Sequence, residues 1–104
     1  MTNHDRAEYC ASKAATASLA QAFAMRLAPE GIGVYDIRPG IIQTPMTAPV
    51  ADRYDPLIPD LIPQARWGQP GDIGAVMVPL ARGDFAYSTG AVIPVDGGLS
   101  INRF

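Results

Sequence analysis

Residues 8–40 read EYCASKAATASLAQAFAMRLAPEGIGVYDIRPG, and their order decides the fold. Residues 8–27 contain neither glycine nor proline and are rich in alanine and straight-chain side chains, which lose little freedom in a helix. Leu19, Phe23 and Leu27 recur at four-residue spacing and mark one apolar face. Ala17, Ala20 and Ala24 continue the stripe that starts with Tyr9 and Lys13, and side chains this small let another element approach closely. Charge is nearly absent between Lys13 and Arg26, so burial on more than one side is expected. Pro29 and Gly31 supply the stop. Residues 33–38 then read as a short strand, and Pro39-Gly40 ends it as a turn. A long helix, a tight turn and a strand make half of a βαβ unit, which points to α/β architecture with a parallel sheet.

The rest of the chain is irregular and then regular again. Residues 44–67 hold Pro45, Pro49, Pro56, Pro59 and Pro63, which exclude a long helix. The same stretch carries Met46, Leu57, Ile58, Leu61, Ile62 and Trp67, too apolar for an ordinary solvent loop. It is read as a lid or substrate-binding loop, with packing on the body for stability as the plainer alternative. Pro70 suits the first position of a helix, and Asp72 in its first turn complements the helix dipole. Ile73, Val76, Met77 and Leu80 give that helix its apolar stripe, and Pro79 is expected to kink or end it. Residues 91–95 read as a second strand, closed by Asp96-Gly97-Gly98. Pro94 cannot donate to a ladder, so an edge strand is expected.

Composition removes several classes. The chain has 104 residues, 48% hydrophobic and 17% charged, a balance that fits one globular domain. A formal net charge of −2 shows no basic face, so nucleic acid is not an expected partner. No apolar run spans a bilayer, so no membrane partner is expected. Residues 1–6 start no signal peptide, which leaves the cytoplasm as the default expectation. One cysteine and one histidine argue against a disulfide and against a zinc site. Seven arginines stand against a single lysine, Lys13, as though one position needed an ammonium.

Tyr9 and Lys13 are candidates for proton chemistry. On a helix, positions four apart lie one above the other. A phenol with a pKa of about 10 is a poor base, and a neighbouring ammonium favours its phenolate. Such a pair can exchange a proton with an alcohol or ketone. Alone it decides little, since about one chain in five of this length would hold Tyr-x-x-x-Lys by chance. The turn after the strand adds weight, because parallel sheets bind ligands beyond the carboxyl ends of their strands. There Ile42 offers backbone N–H and C=O groups and Thr44 a hydroxyl, which suit a carboxamide and a phosphate.

Five motifs stand in one order: Tyr9-x-x-x-Lys13, the helix behind it, Arg38-Pro39-Gly40-x-x-x-Thr44, Arg66-Trp67-Gly68-Gln69-Pro70-x-Asp72-Ile73 and Val95-Asp96-Gly97-Gly98. In this order the chain resembles the short-chain dehydrogenase/reductase family, and most of all its bacterial 3-oxoacyl-[acyl-carrier-protein] reductases. The resemblance covers essentially all of residues 1–104. It implies the C-terminal part of a Rossmann-type doubly wound parallel sheet, with about two strands and three helices. It implies NAD or NADP as cofactor and hydride transfer with a carbonyl or secondary alcohol as the reaction. Tyr9 would be the catalytic acid/base. Lys13 would hold the nicotinamide ribose and lower the tyrosine pKa. Cofactor contacts would come from Tyr9, Lys13, Pro39, Gly40, Ile42 and Thr44, with no metal. Residues 44–67 would be the substrate region, through Met46, Leu57, Ile58, Leu61 and Ile62. The last helix and strand would take part in a homo-oligomer, and Arg53 and Arg66 are the candidates for docking an acyl carrier protein.

The resemblance also implies parts outside residues 1–104. These are the first strands, the glycine-rich pyrophosphate turn, the residue that chooses NAD or NADP, and the catalytic asparagine and serine. The strand near Val34 would keep an open edge, and the isolated chain is expected to fold marginally, bind cofactor weakly and show little or no activity. A second reading is a non-catalytic remnant acting as an interaction module through the family's oligomer-forming helices. The retained Tyr9, Lys13 and Thr44 favour an enzyme fragment over a remnant. An unrelated α/β binding module does not explain the ordered motifs.

Overall fold

The computed structural model describes residues 4–101, and the side chains of residues 4–7 and Tyr9 are outside the description. Its elements are α1 (His4–Leu27), β1 (Asp36–Pro39), the one-turn helices α2 (Ala51–Tyr54) and α3 (Ile58–Leu61), α4 (Pro70–Arg82) and β2 (Val92–Val95). Two 3₁₀ turns, Ala28–Glu30 and Ala48–Val50, complete them. β1 and β2 form a parallel two-stranded sheet. This is part of a Rossmann-type α/β fold. The chain divides into two compact units: one holds α1 and the chain up to Asp36 with residues 86–92, the other residues 37–85 with residues 93–104.

In the first unit, α1 ends where the sequence places its stop. Gly31 adopts φ 74°, a left-handed conformation that costs glycine little, and its N–H bonds the Ala28 carbonyl. The strand is shorter than expected. Residues 33–35 are not in β1, although the Val34 N–H bonds the Thr89 hydroxyl at 3.0 Å and its carbonyl receives Gly90 N–H at 2.7 Å. The ladder proper starts where Asp36 N–H meets Ala91 C=O at 3.0 Å.

The expected burial of α1 on several sides needs correction. Ala24 is buried, and Ala17 and Ala20 are half-buried, whereas Leu19 is 58% and Phe23 44% exposed. Small side chains permit the closest approach: a Cβ added at Gly90 would lie 3.8 Å from the Ala24 Cβ. The alanine stripe is the packed face, whereas Leu19 and Phe23 of the larger apolar stripe face out and Leu27 is half-buried.

Among the described residues of the second unit, the buried side chains are Ile58 and Ile62. They come from the proline-rich stretch, whose only helices are single turns, as five prolines require. α4 begins on Pro70 as expected. Its cap is a carboxylate: Gln69 N–H donates to Asp72 Oδ2 at 2.7 Å. Asp72 also takes a two-pronged bond from Arg66, at 2.9 and 3.1 Å. Pro79 does not end α4, which continues to Arg82 and stops at Gly83, φ 84°. A proline near the C-terminal end forfeits one i to i−4 bond, and the bonds beyond it still form, including Asp84 N–H to Pro79 C=O at 3.1 Å. Ala91, just before β2, and Val95, at its end, point their carbonyls at the β1 segment, so by strand alternation Pro94 turns its missing N–H away from it.

Candidate active site

Tyr9 and Lys13 both lie on α1, in the first unit, one helical turn apart. The Tyr9 side chain is outside the description, and Lys13 is exposed. Pro39, Gly40, Ile42 and Thr44 belong to the second unit, at the end of β1.

The turn is fixed by its own backbone. Gly40 N–H bonds Val95 C=O at 3.0 Å. A Cβ on Gly40 would come within 2.6 Å of the Asp96 Cβ and 2.7 Å of its Cα, so only glycine lets the turn pass Asp96. Next, Ile42 forms a parallel bridge with Gly68. Gly68 N–H donates to Ile41 C=O at 2.9 Å, and Gln43 N–H to Gly68 C=O at 2.8 Å. Thr44 N–H donates to Thr47 Oγ1 at 2.8 Å. That hydroxyl lies 3.0 Å from both the Ile42 and the Thr44 carbonyl oxygens.

Asp96 anchors the far side. Gly98 N–H donates to its Oδ1 at 3.0 Å and Ser100 N–H to its Oδ2 at 3.1 Å. Burial pushes its pKa up, but the bonds from Ser100 and Gly98 outweigh this, and the carboxyl lies below its ordinary value. Gly97 and Gly98 both take positive φ, 64° and 98°. A cavity of about 300 Å³ opens beside this turn, lined by Ile41, Ile42, Ile62, Gln64, Arg66, Gly68, Asp72 and residues 94–98.

The loop residues divide. Ile58 and Ile62 are the core of their unit, Leu61 is half-buried, and Met46 and Leu57 are exposed, Met46 at 90%. Ile62 also lines the cavity at the turn, and Ile58 lines a second one of about 430 Å³ with Gln43, Asp55 and Trp67. Arg66 is committed to Asp72, so its charge is compensated. Arg53 is exposed on α2.

Two features were missed in the sequence. One is Thr47, for which the Thr44-x-x-Thr47 spacing before Ala48-Pro49 is the available signal. The other is the tie between Trp67 and α2: its Nε1 donates to Asp55 Oδ1 at 2.7 Å, and Tyr54 meets the ring edge-on at 6.3 Å. No sequence pattern announces that tie.

A parallel strand running into a Pro-Gly turn, after a long helix with tyrosine and lysine four apart, defines a piece of a nucleotide-binding α/β enzyme fold. A family model described as enoyl-(acyl carrier protein) reductase matches residues 1–100. The chain belongs to the NAD(P)-dependent short-chain dehydrogenase/reductase family, and is most similar to its bacterial 3-oxoacyl-[acyl-carrier-protein] reductases. It is 36% identical to the reductase FabG of Thermotoga maritima over 99 residues, 95% of this chain and 40% of that protein. It is 40% identical to cyclohexanol dehydrogenase of a Rhodococcus species, over 94% of this chain and 37% of that one. A crystal structure of 3-oxoacyl-[acyl-carrier protein] reductase from Brucella melitensis in complex with NAD superposes with a TM-score of 0.90 at 51% identity, covering 100% of this chain and 42% of that one. The chain thus spans about 40% of the length of the curated relatives it matches.

Proposed function

We propose that this chain carries the catalytic helix and nicotinamide-facing turn of an oxidoreductase that transfers hydride between NAD(P)(H) and a carbonyl or secondary alcohol, with 3-oxoacyl thioesters as the substrate class. The observation that carries this reading is the likeness over the whole chain, at 51% identity, to a reductase whose structure holds NAD.

The turn fits such a cofactor. The Ile42 carbonyl receives one hydroxyl and keeps a second lone pair for a carboxamide N–H. When bound, the nicotinamide supplies the hydride. Tyr9 gives its phenolic proton to the carbonyl oxygen as the alcohol forms, and takes it back in the reverse direction. Lys13 favours the phenolate and holds the ribose hydroxyls. Thr44 fixes the ring or the pyrophosphate. Met46, Leu57 and Leu61 offer apolar surface to the acyl chain, and the chain works as a homo-oligomer.

Tyr9→Phe tests the assignment. It removes one hydroxyl and, in a complete enzyme that contains this chain, is expected to lower 3-oxoacyl thioester reduction about 10²- to 10⁴-fold while NADH and NADPH binding stay within about twofold. Turnover close to that of the same complete enzyme with Tyr9 in place would remove the role. Equal loss of cofactor binding would make Tyr9 a binding residue instead.

A further inference from the structure

We infer that Thr47 is the positioning residue of the nicotinamide-facing turn, its hydroxyl setting the direction of the Ile42 carbonyl; this rests on the reading of that turn proposed above. The hydroxyl is half-buried and engages three backbone atoms of the turn. It accepts Thr44 N–H at 2.8 Å and has Ile42 and Thr44 carbonyl oxygens each at 3.0 Å. It has one proton to give, and the two acceptors are not equivalent. The Thr44 carbonyl already receives the N–H groups of Thr47 and Ala48, at 3.0 and 3.1 Å. An sp² oxygen offers two lone pairs, so that acceptor is taken. The proton therefore goes to the Ile42 carbonyl.

This has a consequence for a ligand. With one lone pair held by Thr47, the Ile42 carbonyl presents the other in a fixed direction. A carboxamide N–H arrives at an acceptor already oriented, and no backbone freedom is lost on binding. The Thr44 N–H is satisfied by the same hydroxyl, so residues 42–44 are locked as a unit. Thr47 itself starts the 3₁₀ turn Ala48–Val50, which ties it to the chain beyond. Thr47 touches no reacting atom in this scheme; it acts through Ile42.

The test compares Thr47→Val, which keeps the shape and removes the hydroxyl, with Thr47→Ser, which keeps the hydroxyl. Two readouts are needed on the full 104-residue chain. Amide exchange at Thr44, followed by NMR, reads the clamp without any ligand. NMR titrations to millimolar concentration with NADH, and with ADP-ribose, which lacks the nicotinamide, read positioning. Thr47→Val is expected to speed Thr44 exchange and to weaken NADH about five- to tenfold, with ADP-ribose unchanged and Thr47→Ser restoring both within about twofold. Unchanged Thr44 exchange in Thr47→Val overturns the clamp. Faster exchange with NADH unaffected, or with NADH and ADP-ribose weakened alike, overturns the positioning role. Parent chain that binds NADH no better than ADP-ribose refutes the carboxamide seat itself, and the inference falls with it. Should Thr47→Val not fold, Thr47→Ala carries the same comparison.

Discussion

At the scale of single residues, Gly40 is the most constrained position of the turn. Its backbone angles are open to other residues; what excludes a side chain is Asp96, 2.6 Å from where a Cβ would stand. Gly40→Ala must move either the turn or the Asp96-Gly97-Gly98 segment, and both are held by backbone hydrogen bonds. The expected cost is about 1–3 kcal/mol, read as a lower urea midpoint at unchanged slope. A variant as stable as the parent would show that the segment yields freely. The Pro39-Gly40 turn was legible in the sequence because it is local chemistry. The reason for the glycine was not, because Asp96 lies far along the chain.

At the scale of elements, α4 makes a statement about acid. The Arg66 guanidinium, and then the Gln69 N–H, hold the Asp72 carboxyl at about 2 rather than near 3.8. A depressed carboxyl contributes stability that is present above about 3.8 and is lost as pH falls through about 2. Urea unfolding between pH 6 and pH 2 should show the parent chain losing stability in that window. Asp72→Asn should be less stable near neutral pH and should lose less across the same interval. An identical acid limb in both would mean that the carboxyl is not linked to folding. Pro70 and Asp72 were both visible as helix-start signals, whereas the pairing with Arg66 needed the chain to turn back on itself. α1 shows the opposite failure. Periodicity identified the stripe of Leu19, Phe23 and Leu27 but could not say which face would find a neighbour. The smaller alanine face did, since close packing favours the shorter distance.

At the scale of the whole molecule, few side chains leave water. Among the described residues, Ala24, Ile58 and Ile62 are the buried hydrophobic ones, while Leu19, Phe23, Met25, Met77, Val78 and Tyr87 are exposed. Burial of apolar surface is the main favourable contribution to folding, so a core this small gives a chain of low stability. Thermal unfolding should be broad, and amide exchange should be slow only around α1, α4 and the β1–β2 ladder. A sharp transition above about 65 °C would contradict this. The parallel sheet and its helices were readable from the order of helix, strand and turn signals. A marginal fold was expected from the resemblance, but which side chains form the small core was not readable, because hydrophobic content fixes how much apolar surface a chain has, not how much of it meets a partner.

The tie between Trp67 and α2 has a practical meaning. Trp67 is the sole tryptophan of the chain, and its indole N–H is held by Asp55 while Tyr54 stands edge-on to the ring. Near-ultraviolet excitation at wavelengths where tyrosine is dark therefore reports from one place, the point where the proline-rich stretch is fastened. Rearrangement of that stretch will change the emission maximum and quantum yield without a label. The chain carries its own optical gauge for the segment proposed to meet substrate.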